Sequence, residues 1–144
     1  MVEQVSHLVF DCESIADGAL IAKVRYPGEG LSPEQAVERY QSELLEQKGS
    51  TFIPHTFQIP IAVVIAKVNA DYRLLDIVSL DEPKFRSHVI TAHFWKGWEV
   101  YKRPQWVTFN GRTFDLPLME LAAYRYGISI KAWFKNEGYR SPRN

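Results

Sequence analysis

Apolar positions first concentrate at Val5 and Leu8-Val9-Phe10, a run that ends in Asp11-Cys12-Glu13. It predicts a strand from Val5 to Glu13, apolar on both faces and therefore central in its sheet. Ser14 to Leu31 has three glycines, one proline and little periodicity, which predicts a long irregular connection carrying Lys23 and Arg25. Ser32-Pro33-Glu34-Gln35 then reads as a helix start, with Ser at the N-cap, Pro at the first position and Gln placed to close a capping box. Ala36, Val37, Tyr40, Leu44 and Leu45 form its apolar stripe, Lys48-Gly49 its stop, and Glu34, Glu38, Glu43 and Glu46 a solvated surface.

Beyond a linker from Gly49 to Pro60, Ile61 to Val68 is β-branched and nearly unbroken, predicting a strand buried on both faces. Asn69-Ala70-Asp71 marks a turn, and Tyr72 to Leu80 completes a hairpin. Asp81-Glu82-Pro83 predicts a second helix capped by Asp81, with stripes at Phe85, Val89, Ala92, Trp95 and at Ile90, Phe94, Trp98, Tyr101. Aromatics at that spacing read as core, although they could also stack on bases. Gln105 to Phe109 is a short strand, Gly111 a turn, and Pro117 falls in the first turn of a third helix that stops at Gly127.

This order predicts an α/β fold in which three antiparallel strands are followed by a helix and a strand parallel to the first. A chain of 144 residues suits one domain with a real core. Seventeen Lys and Arg balance seventeen Asp and Glu, so no global basic field exists to hold nucleic acid by phosphate neutralisation alone. Cys12 is the single cysteine, which excludes an internal disulfide and a cysteine zinc cluster and fits a reducing cytoplasm. No apolar run is long enough to cross a bilayer, so the expectation is a soluble, cytoplasmic protein with no membrane partner.

The chemistry sits in the acids. On a strand, Asp11 and Glu13 project to one side while Phe10 and Cys12 point to the other. Two like charges so close are costly unless a cation lies between them, and hard oxygen donors suit Mg²⁺ or Mn²⁺. A strand end running into a solvated turn would look the same. Asp115 stands just after a strand end and at a helix N-terminus, where it could simply cap free N–H groups. In the predicted topology all three acids can converge at one sheet edge.

Phe10-Asp11-Cys12-Glu13-Ser14 resembles the first motif, Asp-x-Glu, of the DEDD 3′–5′ exonucleases of the ribonuclease-H-like fold. Asn110-Gly111-Arg112-Thr113-Phe114-Asp115 is similar to their second motif. The longer phrase Thr108 to Pro117 resembles the branch of predicted exonucleases related to the proofreading domain of family B DNA polymerases. The resemblance implies a ribonuclease-H-like mixed sheet with flanking helices and hydrolysis of nucleic-acid phosphodiesters with two divalent ions, Mg²⁺ or Mn²⁺. It implies that Asp11 bridges both ions, that Glu13 binds the ion nearer the attacking water, and that Asp115 binds the second. Asn110 would orient the second motif or touch the terminal nucleotide, and Phe114 would pack beside the site. Arg112, Lys23 and Arg25 would be candidates for backbone contacts, and Ser14 stands where relatives commonly have Thr.

The family's third motif places a Tyr or His shortly before a fourth acid on a late helix, yet no Asp follows Asp115. Tyr72 to Asp76 has the literal pattern, but its place in the hairpin marks it as a chance match. The expectation is therefore a single, incomplete domain, lacking the last helix or helices, that acts on single-stranded DNA or RNA with a 3′ end. Uncovered core would favour self-association. A non-catalytic module that binds nucleic acid or protein is the alternative, and a structural domain whose acids merely cap and solvate is a third reading.

Overall fold

The computed structural model describes residues 4–135. The strands are β1 (His7–Ala16), β2 (Gln58–Val68), β3 (Leu74–Ser79) and β4 (Gln105–Val107), and the helices α1 (Gly18–Arg25), α2 (Pro33–Lys48), α3 (Ser87–Val100) and α4 (Asp115–Arg125). The strand order is β3-β2-β1-β4. β2 and β3 are antiparallel, with Val64 opposite Ser79 and Ala66 opposite Ile77. β1 and β4 are parallel, with Val9 opposite Val107. This is the α/β, ribonuclease-H-like mixed sheet expected from the sequence, with its crossover through α3.

Two compact units divide the chain: Ser14–Ile59 forms one, and the segments on either side of it form the other. In the flanking unit, Leu8, Phe10, Val63 and Ile65 of the sheet pack with Ile90, Phe94, Trp95 and Trp98 of α3 and with Leu118 and Met119 of α4. Phe94 is fully buried, stacks on Trp106 at 4.3 Å between ring centroids and meets Phe10 edge-on at 5.0 Å. Burying such a ring contributes about 1.5–3 kcal/mol, with up to ~1.5 kcal/mol more from ring geometry. The aromatic stripe of α3 is thus core.

The opposite sheet face carries exposed apolar positions among the described residues. Val9, Val64, Ile77 and Val107 are all exposed, so β1 and β2 are buried on one face, and the expectation of two buried faces is corrected. The unbroken β-branched run hid the alternation because an apolar residue can stand on either side.

The unit Ser14–Ile59 holds the largest departure from the sequence reading. Where an irregular connection was expected, β1 continues to Ala16 and α1 follows directly. The Asp17 side chain caps α1 by accepting from the Leu20 N–H at 3.1 Å, and Ile21 is fully buried. Gly18 belongs inside this helix because a Cβ there would lie 2.3 Å from the Pro33 carbonyl oxygen. Glycines at both ends concealed eight helical residues.

α2 begins as read: Ser32 and Gln35 complete the capping box, and Gly49 ends the helix with φ 68°. Ala36, Tyr40 and Leu44 are buried, whereas Leu45 faces solvent. Glu43 does more than solvate the surface, since it pairs with Arg25 at 3.1 Å and with Arg39 at 3.3 Å. Arg25 and Arg39 also lie over the rings of Tyr40 and Tyr26.

α3 starts later than expected. Asp81 does not cap it; residues 81–84 form a turn, and the Asp81 carboxylate accepts from the backbone and guanidinium of Arg86. That guanidinium holds the Asp81 carboxyl well below the usual carboxylate range. Asp76 pairs with Lys67 at 2.8 Å, which accounts for it without a catalytic role. Among the described residues no helix is long and apolar enough to cross a membrane.

Candidate active site

β1 delivers the alternation its sequence called for: Phe10 and Cys12 are buried, while Asp11 and Glu13 are exposed on the other side. Burial pushes the Cys12 thiol strongly upward, and the nearby charges of Asp115, Asp11 and Glu13 add to it. A thiol so held stays protonated and is not a nucleophile.

The third acid arrives from β4. After Val107 the chain turns through Asn110 to Phe114, and Asp115 becomes the first residue of α4. Asn110 takes φ 55°, a left-handed conformation that Asn tolerates better than most residues. Its carbonyl accepts from the Thr113 hydroxyl at 3.0 Å, and the Gly111 carbonyl accepts from the Leu116 N–H at 2.8 Å. Gly111 lets the turn close: a Cβ would fall 1.8 Å from Thr108 Cγ2, so the Thr108 side chain would have to shift. The turn therefore closes against Thr108, whose hydroxyl donates to Asp115 Oδ2 at 3.2 Å.

Asp115 is buried, at 6% exposure. Its carboxyl is raised above the ordinary range, first by burial and further by the negative charges of Asp11 and Glu13, while the Thr108 hydrogen bond pulls the other way. Asp11, Glu13 and Asp115 thus share one electrostatic neighbourhood. Among the described residues none of the three is ion-paired.

The other sequence-predicted residues divide. Asn110 and Arg112 are exposed on a cleft of about 860 Å³ beside the turn. Phe114 is half-buried against the main core. Ser14 lies in the other unit, where its hydroxyl donates to the Gln58 side-chain oxygen. Arg25 is engaged with Glu43, and Lys23 is exposed. Sequence reasoning missed Thr108, although a hydroxyl residue seven positions before the acid and next to the turn was there to be read.

Donor type and charge fit a hard divalent cation: three carboxylates, mutual repulsion and, among the described residues, no compensating cation. The arrangement itself is open. Asp115 is bonded to Thr108, and among the described residues no group of three or more His, Cys, Asp or Glu side chains is gathered closely enough to hold an ion.

The parallel pairing of β1 with β4 and the β2–β3 hairpin make a mixed sheet of the ribonuclease-H-like kind, with Asp11 and Glu13 on β1 and Asp115 at the start of α4. Residues 50–143 match a family described as predicted 3′–5′ exonucleases related to the exonuclease domain of PolB, and the chain belongs to that family. The match contains Thr108 to Pro117; Asp11 and Glu13 precede it. Nothing among curated proteins or solved structures matches the chain.

Proposed function

We propose that the chain carries the first three carboxylates of a two-metal 3′–5′ exonuclease site that hydrolyses phosphodiesters at the 3′ end of single-stranded nucleic acid. The observation that supports this reading is the raised carboxyl of Asp115, pushed up by burial and by the charges of Asp11 and Glu13, with none of the three ion-paired among the described residues. Asp11 and Glu13 offer the open oxygen donors, and Asp115 adds a third from a less polar setting. Asp11, Glu13 and Asp115 would hold divalent ions, whose chemistry there would be Lewis-acid activation of water and stabilisation of the leaving 3′ oxygen. Thr108 fixes the direction of Asp115, and the Asn110–Phe114 turn fixes its distance from β4. Glu120, the one described acid after Asp115, is buried and accepts from the Trp133 indole. It is thus already committed, and the fourth carboxylate is proposed to lie beyond the described residues.

The test is release of nucleotides from a 3′-end-labelled single strand in Mg²⁺ or Mn²⁺, with Mn²⁺ binding followed by calorimetry. Asp11→Ala is expected to lower metal affinity by about 100-fold or more, by analogy with the effect of removing lesser metal-site partners, and to remove turnover. Metal binding and turnover that both survive in Asp11→Ala would reject the reading. Tight strand binding without turnover in the wild type would favour a non-catalytic module, a reading that the open carboxylate arrangement also suits.

A further inference from the structure

The cleft of about 860 Å³ runs beside β4 and the turn that places Asp115; Gln105, Trp106, Val107, Thr108, Asn110 and Gly111 are all in its lining. Among the described residues, its charged lining residues are Arg103, Arg112 and Lys135, all exposed, with no carboxylate beside them. In a chain whose formal charges cancel, this is a local concentration of positive charge. Between the lining residues Thr108 and Asn110 stands Phe109, whose side chain is 96% exposed. A phenylalanine held in water at the rim of a cationic cleft is costly unless something covers it.

We propose that this cleft receives the single-stranded nucleic-acid chain leading to the acid site, with phosphates on Arg103, Arg112 and Lys135 and a base stacked on Phe109. The proposal rests on the exonuclease reading and assigns that site its path for the strand. Guanidinium forks match phosphate oxygens, and an exposed aromatic ring stacks on any base, so the recognition would be indifferent to sequence. An acidic peptide could satisfy the cations, but it would leave Phe109 without a stacking partner. The turn bearing Asp115 forms part of the cleft wall, which sets bound phosphates beside the second motif.

Binding in this cleft needs no metal, which separates it from the acid site. The affinity of a fluorescein-labelled oligo(dT) is measured by anisotropy in EDTA across a salt series, for the wild type, Arg112→Glu/Lys135→Glu and Phe109→Ala. The double charge reversal is expected to weaken binding by about tenfold or more and to flatten the salt slope by about 0.7 for each phosphate no longer neutralised. Phe109→Ala is expected to weaken binding about tenfold. Circular dichroism establishes that each variant is folded. Equal affinity of the double reversal and the wild type would overturn the proposal. So would displacement by poly-glutamate at matched charge together with an unaffected Phe109→Ala, which would assign the cleft to an acidic peptide. Intact metal-free binding without metal-dependent nucleotide release would instead reject the exonuclease reading and leave the cleft assignment standing.

Discussion

As a charged group Asp115 is unfavourable for the fold, and the proposed metal site would give that charge a use. Burial and the two acids of β1 raise its carboxyl, so the folded chain takes up that proton more readily than the unfolded chain does. Stability linked to this group is therefore greatest below the unfolded carboxylate value of about 3.9 and is lost as pH rises through the higher folded value. Asp115→Asn removes the charge and keeps an oxygen able to accept from Thr108. The substitution is expected to raise the Tm at pH 7, with the gain shrinking towards pH 4; thermal melts across that range would measure it. A gain that does not depend on pH would argue against the charge as its cause. Asp81 has the opposite sign: Arg86 holds its carboxyl low, so its contribution is present at neutral pH and lost in acid.

Among the elements, the sequence was most readable where a terminus was chemically marked. Ser32, Pro33, Gln35 and Gly49 bounded α2 at both ends, and Gly127 with φ 65° ended α4. The hairpin and the parallel β4 were likewise legible from turn residues between apolar runs. α1 was not, because Gly18, Gly28 and Gly30 imitate a loop. What settles α1 is an approach remote in sequence, the Pro33 carbonyl against Gly18. Of the candidate site, Asp11, Glu13 and Asp115 were singled out by the Asp-x-Glu spacing together with the resemblance of the stretch from Asn110 to Asp115 to a second motif, whereas the Thr108 bond and the cleft required the chain in three dimensions. The β4–α4 turn depends on the same kind of close approach. Gly111→Ala is expected to cost about 1–3 kcal/mol by forcing its Cβ against Thr108. Chemical denaturation would measure that cost, and an unchanged midpoint would show that the turn relaxes freely. Asp115 lies downstream of this turn, so any nucleotide release should fall with it.

At the scale of the whole chain, the two compact units keep separate hydrophobic clusters. One is built on Ile21, Ala36, Tyr40, Leu44 and Ile53, and the other on the sheet with α3 and α4. All four tryptophans, Trp95, Trp98, Trp106 and Trp133, belong to the sheet-bearing unit, and Ser14–Ile59 has none. The molecule thus carries a built-in optical partition: indole emission watches the unit that holds the acids and is blind to the α1–α2 pair, while far-ultraviolet ellipticity registers the helices of both. Ile21→Ala, which empties a fully buried position in the silent unit, is expected to cost that unit about 2–5 kcal/mol. The ellipticity midpoint should then fall further than the emission midpoint, whereas coincident shifts would mean that the two clusters melt as one. Light alone can thereby separate damage to the scaffold around the acids from damage to the segment inserted between its first two strands.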